Sequence, residues 1–259
     1  MKREGSTMKI QVDGLQFGTG YNGVLGPRGV GKTRLLKKMA QVEEGTNGQT
    51  CYVSRAMDSF HELTIKEYLC YMAGTKAIPR EDVTRKVNDS IELMYLNRWA
   101  DRTIGELSTL MKSKALVAKA LLSDSQVLLL DEVLAELSEQ ERMMIGYALG
   151  EAAKERVVVV ASNLGDSLEG LLDTLCLLHP EKEAAHVSAN TAYSWVEGKV
   201  WEYVAPKLPQ AAEGRIVTAV KMLEDGVYVR EIADFVPYEE VSQVTPTLTD
   251  AYLWWAGQR

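Results

Sequence analysis

Cysteine, histidine and phenylalanine are scarce in this chain, three of each in 259 residues. Cys51, Cys70 and Cys176 lie far apart, without the close spacing of a metal site, and in apolar surroundings. They read as small buried hydrophobes of a reducing compartment. No uncharged apolar run approaches the ~18 residues that span a bilayer, and residues 1–7 carry no apolar stretch of the secretory kind. These two absences point to a cytoplasmic protein. Basic residues are outnumbered, 29 against 36, for a net charge of −7. The one basic cluster, Arg34-Leu35-Leu36-Lys37-Lys38, reads as the solvated face of a helix, so no nucleic-acid partner is expected. No internal repeat or low-complexity stretch stands out.

What is present is sharper. Gly26-Pro27-Arg28-Gly29-Val30-Gly31-Lys32-Thr33 satisfies G-x-x-x-x-G-K-[ST] in full. Glycines let the backbone wrap closely round phosphate groups, so that successive N–H groups point at an anion. Lys32 is placed to reach β- and γ-phosphates, and the Thr33 hydroxyl to ligate Mg²⁺. Asn22-Gly23-Val24-Leu25 reads as a strand end before the loop. Lys32 to Ala40, with Leu35, Leu36 and Met39 on one face, reads as the helix whose N-terminus receives the phosphate. The nucleotide contacts are expected from Gly26 through Arg34, with the Lys32 side chain in solvent when the site is empty.

From Met8 to about Pro180 short apolar runs alternate with helical periods, the pattern of a layered α/β domain. Thr50-Cys51-Tyr52-Val53 is a strand, and Thr64-x-x-Glu67 is a capping box opening a helix. Further helices follow Pro79, run from Thr109 to Leu122, and start at Ser138-x-x-Glu141. Val127–Leu130 and Val157–Val160 are continuous apolar runs, as in parallel strands covered on both faces. After Pro180, three strand-like segments (200–204, 216–224, 227–234), an Asp225-Gly226 hairpin turn and a helix near 249–255 suggest a small α+β accessory domain. Trp254-Trp255 is expected to pack the tail onto its own domain rather than into a membrane.

Asp131-Glu132 closes the Val127–Leu130 strand. A carboxylate at that end of a buried parallel strand is placed to orient Mg²⁺, and the following one to polarise a water as general base. The order of phosphate loop, helical insertion, Leu107-Ser108 before a helix, Leu128-Leu129-Leu130-Asp131-Glu132 and a β-branched strand resembles the nucleotide-binding subunit of ATP-binding cassette (ABC) transporters. Gly198-Lys199-Val200-Trp201-Glu202 and Pro246-Thr247-Leu248-Thr249-Asp250-Ala251-Tyr252-Leu253 resemble the bacterial branch that pairs with exporter-type permeases.

That resemblance implies a P-loop NTPase domain over residues 1–180, with a helical subdomain at about 60–122, and an accessory α+β domain over 181–259. It implies ATP and Mg²⁺ as ligands, Lys32 and Glu132 as catalytic residues, and Thr33 and Asp131 as metal ligands. It further implies export-coupled ATP hydrolysis at the inner face of the cell membrane, with a permease and a second cassette as partners. The stretch Arg55 to Gly74 would face the permease.

Several positions depart from the family pattern. The Leu-Ser-Gly-Gly-Gln signature reads Leu107-Ser108-Thr109-Leu110-Met111, the usual Gln is Arg55, the usual post-strand His is Asn163, and the usual Asp is Ser138. The segment that supplies an adenine-stacking aromatic is short, and Tyr21 lies too near the loop for that part. Parts completed within one subunit are kept, whereas those that sense γ-phosphate or meet a partner have drifted. A heterodimer with an intact cassette is therefore favoured. The alternative is a weakly or non-hydrolysing regulatory subunit.

Overall fold

The computed structural model describes residues 8–43, 50–55, 57–76, 78–135, 137–163, 170–210 and 213–258. Residues 1–7, on which the reading of the N-terminus rested, lie outside that set. In chain order the elements are β1 (Lys9–Val12), β2 (Leu15–Gly18), β3 (Gly20–Leu25), α1 (Lys32–Glu43), β4 (Thr50–Ser54), α2 (Ile65–Thr75), α3 (Arg80–Leu93) and α4 (Thr109–Leu122). There follow β5 (Val127–Asp131), α5 (Glu139–Ala153), β6 (Val157–Ser162), β7 (Thr174–His179), β8 (Lys182–Ser188) and α6 (Ala189–Ser194). The last are β9 (Val200–Ala205), β10 (Arg215–Met222), β11 (Val227–Ala233), β12 (Ser242–Gln243) and α7 (Leu248–Gly257).

A six-stranded sheet of order β4-β5-β6-β3-β7-β8 organises the molecule. Neighbours from β4 to β7 are parallel, and β8 closes the edge antiparallel to β7. The apolar runs of β5 and β6 are buried on every residue, as strands covered on both faces must be. Their side chains alternate between two cores. Leu128, Leu130, Val158 and Val160 join the core under the helical insertion and the C-terminal region. Val127, Leu129, Val157 and Val159 join the smaller one that holds α1 and the β1–β2 hairpin. From β3 the chain leaves for β4 at one edge, and from β6 it crosses to β7 on the other side of β3. The crevice beyond the strand ends at β6 and β3 is thus a topological switch point, where ligands of open α/β sheets bind.

Local chemistry sets the element starts. Thr64 and Ser138 each form reciprocal capping boxes with Glu67 and Glu141, and Thr247 does so with Asp250. Asp13 and Gly14, at φ 48° and 79°, turn the β1–β2 hairpin, a feature the sequence reading did not anticipate although Asp-Gly is a strong hairpin signal.

Two features bear on the boundary expected at 180. The main sheet continues through β8 to Ser188, beyond the boundary drawn at 180. Val200, Ile232, Leu248, Ala251 and Tyr252 also share one apolar cluster with the main body. The second sheet, order β10-β11-β9-β12, is antiparallel and turns at Asp225-Gly226 between β10 and β11, as expected. Helix α7 is held to it by Arg230, whose guanidinium contacts Asp250 at 2.6 Å, the Thr245 carbonyl at 2.8 Å and Glu202. Trp254 stacks on Trp195 with ring centroids 5.7 Å apart, and Trp255 packs edge-on to Tyr252, so both tryptophans serve internal packing.

Candidate functional site

Three strand ends converge at the crevice: β3 feeds the 26–31 loop, β5 ends on Asp131, and β6 is followed by Asn163. The loop turns through Gly29 and Gly31 at φ 80° and 109°, left-handed values that a side chain would strain. Gly26 is required for a different reason. A Cβ there would lie 2.6 Å from the Leu178 carbonyl oxygen, so the loop packs directly on β7.

The backbone N–H of Val30 donates to Pro27 and that of Leu35 to Gly31. Those of Gly29, Gly31, Lys32, Thr33 and Arg34 find no acceptor among the described residues. A run of unused donors at the N-terminus of a twelve-residue helix is an anion cradle, and it fits a phosphate. The adjoining cleft, of about 500 Å³, is lined by Lys32, Arg34, Lys37 and Lys38 against a single carboxylate, Glu132.

Lys32 is not in solvent, contrary to expectation; the residue is 4 % exposed. Its Nζ donates to the Gly26 carbonyl at 2.9 Å, the Pro27 carbonyl at 3.0 Å and Asn163 Oδ1 at 2.9 Å, and lies 3.4 Å from Glu132 Oε1. The ammonium is withdrawn because the loop folds its own carbonyls over it. The same contacts hold the loop in shape before any ligand arrives.

Glu132 adopts φ 55°, an uncommon conformation for a residue with a side chain, fixed by its N–H donating to the Ala161 carbonyl at 3.1 Å. Such local strain persists only where surrounding structure imposes it. Here it turns the carboxylate toward Lys32.

Asp131 is 6 % exposed. Its Oδ2 accepts from the Tyr52 hydroxyl at 2.8 Å, while Oδ1 is buried without a partner. A buried, unpaired carboxylate oxygen is unfavourable unless a ligand completes it, and Mg²⁺ coordination would do so. Tyr52 was not anticipated, because 79 residues separate the pair. Burial first, and then the Asp131 carboxylate, push the Tyr52 phenol well above its ordinary pKa, which keeps it a donor. Thr33, the second expected metal ligand, opens α1 as an exposed residue at the cleft.

The positions at which the sequence reading expected departures from the family pattern take part in local structure. Ser108 caps α4 by accepting from the Met111 N–H at 3.3 Å, and Leu110 and Met111 pack against the core. Ser138 caps α5. Arg55 is exposed just past β4. Tyr21, 1 % exposed, is a core residue of β3 and presents no aromatic face to the cleft.

Residues 20–135 match the ABC transporter family model. Solved structures agree on the fold. An ATP-binding subunit of an ABC transporter superposes with a TM-score of 0.60 at 16 % identity, covering 73 % of this chain and 90 % of that one. A nucleotide-free ATP-binding cassette from an ABC transporter gives 0.56 at 17 %, covering 70 % and 92 %. The protein therefore has the fold of an ABC-type P-loop NTPase domain, as the sequence motifs implied. Domains of this family hydrolyse ATP, generally with Mg²⁺, and work as dimers with a membrane permease. Among the described residues no helix is long and apolar enough to cross a membrane.

Proposed function

We propose that the protein is the ATP-binding and ATP-hydrolysing subunit of an ABC exporter. The observation that carries this reading is the convergence of unused loop N–H groups, Lys32, Asp131 and Glu132 at one strand-end crevice. In this reading the residues from Gly26 to Arg34 cradle the phosphates, with the N–H groups from Gly29 onward as donors, and Thr33 and Asp131 hold Mg²⁺, the ion that neutralises charge on the transferring phosphoryl group. Lys32 exchanges Glu132 and Asn163 for the phosphate oxygens, since a dense anionic ligand outcompetes a half-exposed carboxylate and a neutral amide. Glu132, released, accepts the proton of the attacking water. The subunit sits at the inner face of the membrane against a permease, with the stretch from Arg55 to Gly74 toward it. It closes head-to-tail on a second cassette.

A second reading is a nucleotide-binding subunit with weak hydrolysis. Asn163 favours it, because an amide there ties up Lys32 but neither donates nor accepts a proton during transfer. Both readings favour a heterodimer with a cassette that keeps its signature glycines and post-strand His. The measurement that separates them is steady-state ATPase activity of the purified chain, alone and with a co-produced partner cassette and permease. Hydrolysis that depends on Glu132 supports the first, and tight ATP binding without turnover in either preparation supports the second. Failure to bind ATP at all overturns both.

A further inference from the structure

Away from the nucleotide crevice, the start of β4, the end of α2 and the last turn of α4 enclose a cavity of about 150 Å³. Tyr52, Met72, Thr75, Lys76, Lys119 and Leu122 line it. That is well below the roughly 300 Å³ at which clefts for drug-sized ligands begin, so it suits a small ion. Two of the six residues are lysines, and no acid is among them.

The two lysines are not equivalent. Lys76 caps the end of α2 and its Nζ donates to the Thr50 carbonyl at 2.8 Å. Lys119 is partly buried and has neither a hydrogen-bond acceptor nor a carboxylate partner among the described residues. The two more deeply buried lysines are paired, Lys32 as described and Lys114 with Glu141 at 3.2 Å. Removal from water lowers the Lys119 pKa, the Cys51 thiol opposes this in part, and the neighbouring Lys76 lowers it again. A cation so placed has no carboxylate to balance it among the described residues. Lys119 lies in the last turn of α4, where the helix end offers partial negative charge but no hydrogen-bonded carbonyl.

We propose that this cavity is a binding site for a small oxyanion of the orthophosphate class, held between Lys76 and Lys119. The hydroxyls at its wall are already committed: Thr75 donates to the Met72 carbonyl at 2.8 Å and Tyr52 to Asp131. Recognition therefore rests on charge, and sulfate should substitute for phosphate. The bound anion lies against Tyr52, one side chain from Asp131. The site requires neither the phosphate loop nor nucleotide, so it stands or falls independently of the ATPase reading.

The test is an orthophosphate titration of ¹⁵N-labelled protein at constant ionic strength, with chloride as control. Saturable shifts are expected at the amides of Thr50–Tyr52, Thr75, Lys76 and Lys119–Leu122, distinct from any at residues 26–34. Lys119→Met should abolish them, and Lys76→Met should weaken them several-fold. Lys119→Met replaces an uncompensated charge with an apolar chain of similar length, so it should melt no lower than wild type in phosphate-free buffer. Phosphate should then raise the melting temperature of the wild type more than that of the variant. Shifts confined to the loop, or cavity shifts that survive in the Lys76→Met, Lys119→Met double variant, would overturn the proposal.

Discussion

Two charge clusters of this molecule invite comparison, one round Lys32 and one round Arg230. Both bury a cation among oxygen atoms. Around Arg230 each guanidinium nitrogen has a partner in Asp250, Glu202 or the Thr245 carbonyl, and Asp250 accepts in addition from Thr247. Around Lys32 the arrangement stops short of closure. Among the described residues Asp131 Oδ1 is unpartnered and five loop N–H groups are unused, and Glu132 is 29 % exposed. A closed cluster fastens one element to another, and an open one is poised to exchange a partner. Substitutions in the first should therefore move stability and leave ligands alone, while those in the second should do largely the reverse.

The largest separation is expected at Glu132. Glu132→Gln should leave ATP affinity within a few-fold and lower turnover by about 10²- to 10⁴-fold, the usual share of a positioned acid–base group. Equal turnover in wild type and variant would remove Glu132 from that role. On the closed side, Arg230→Met leaves Asp250 buried with its charge unmatched. It should destabilise by about 3–5 kcal/mol in urea unfolding while ATP affinity is unchanged. A fall in affinity as large as the fall in stability would erase the distinction between the clusters.

Lys32→Ala tests whether the open cluster is purely functional. ATP affinity should drop on the order of 10²-fold in calorimetry, since a charge-assisted hydrogen bond is worth about 1.5–3 kcal/mol. Because Lys32 is buried against two loop carbonyls, the ligand-free variant should also melt lower, by a loss of about 1–3 kcal/mol. Unchanged stability would mean that water replaces the ammonium without penalty.

Acid should act on the closed cluster. Asp250 is buried, which raises its pKa, but the hydrogen bonds from Arg230 and Thr247 overcome this and the net shift is downward. Its contribution is therefore complete above the unfolded value of about 3.9 and is lost as pH falls through the lower folded value. Wild type should lose stability over that acid range, and Asp250→Asn should show a shallower slope there.

The smallest effect is expected at Asn163 and Arg55. Asn163→His should raise turnover of the isolated chain by up to about tenfold, and Arg55→Gln by less, because only the first meets the phosphate undergoing transfer. High turnover insensitive to position 163 would contradict the role given to that drift.

Much of the fold was legible in the sequence because its signals are local. The helix from Thr109 to Leu122 runs between the residues its periodicity picked out, the capping boxes at Thr64 and Ser138 open the helices they announced, and β5 and β6 are the two continuous apolar runs. The loop and the Asp131-Glu132 pair were legible for the same reason. What was hidden depends on residues far apart in the chain. The Lys32–Asn163 contact spans 131 positions and the Tyr52–Asp131 contact 79, and no periodicity encodes either. The change of texture after Pro180, on which the boundary was placed, coincides with the turn of the β7–β8 hairpin, and the pairing across it is not encoded in composition. The β1–β2 hairpin was passed over because its strands are only four residues each.

The Leu178 carbonyl meets two distant parts of the chain. It accepts from the Tyr252 hydroxyl at 2.9 Å, and it is the atom against which Gly26 closes. During synthesis, a nascent chain that has not yet reached Tyr252 already carries the entire phosphate loop but lacks the hydroxyl that pins the wall behind it. Maturation of the loop is then tied to translation of a segment more than two hundred codons downstream, and ribosome-bound intermediates released before that point should hold nucleotide less tightly than the finished protein.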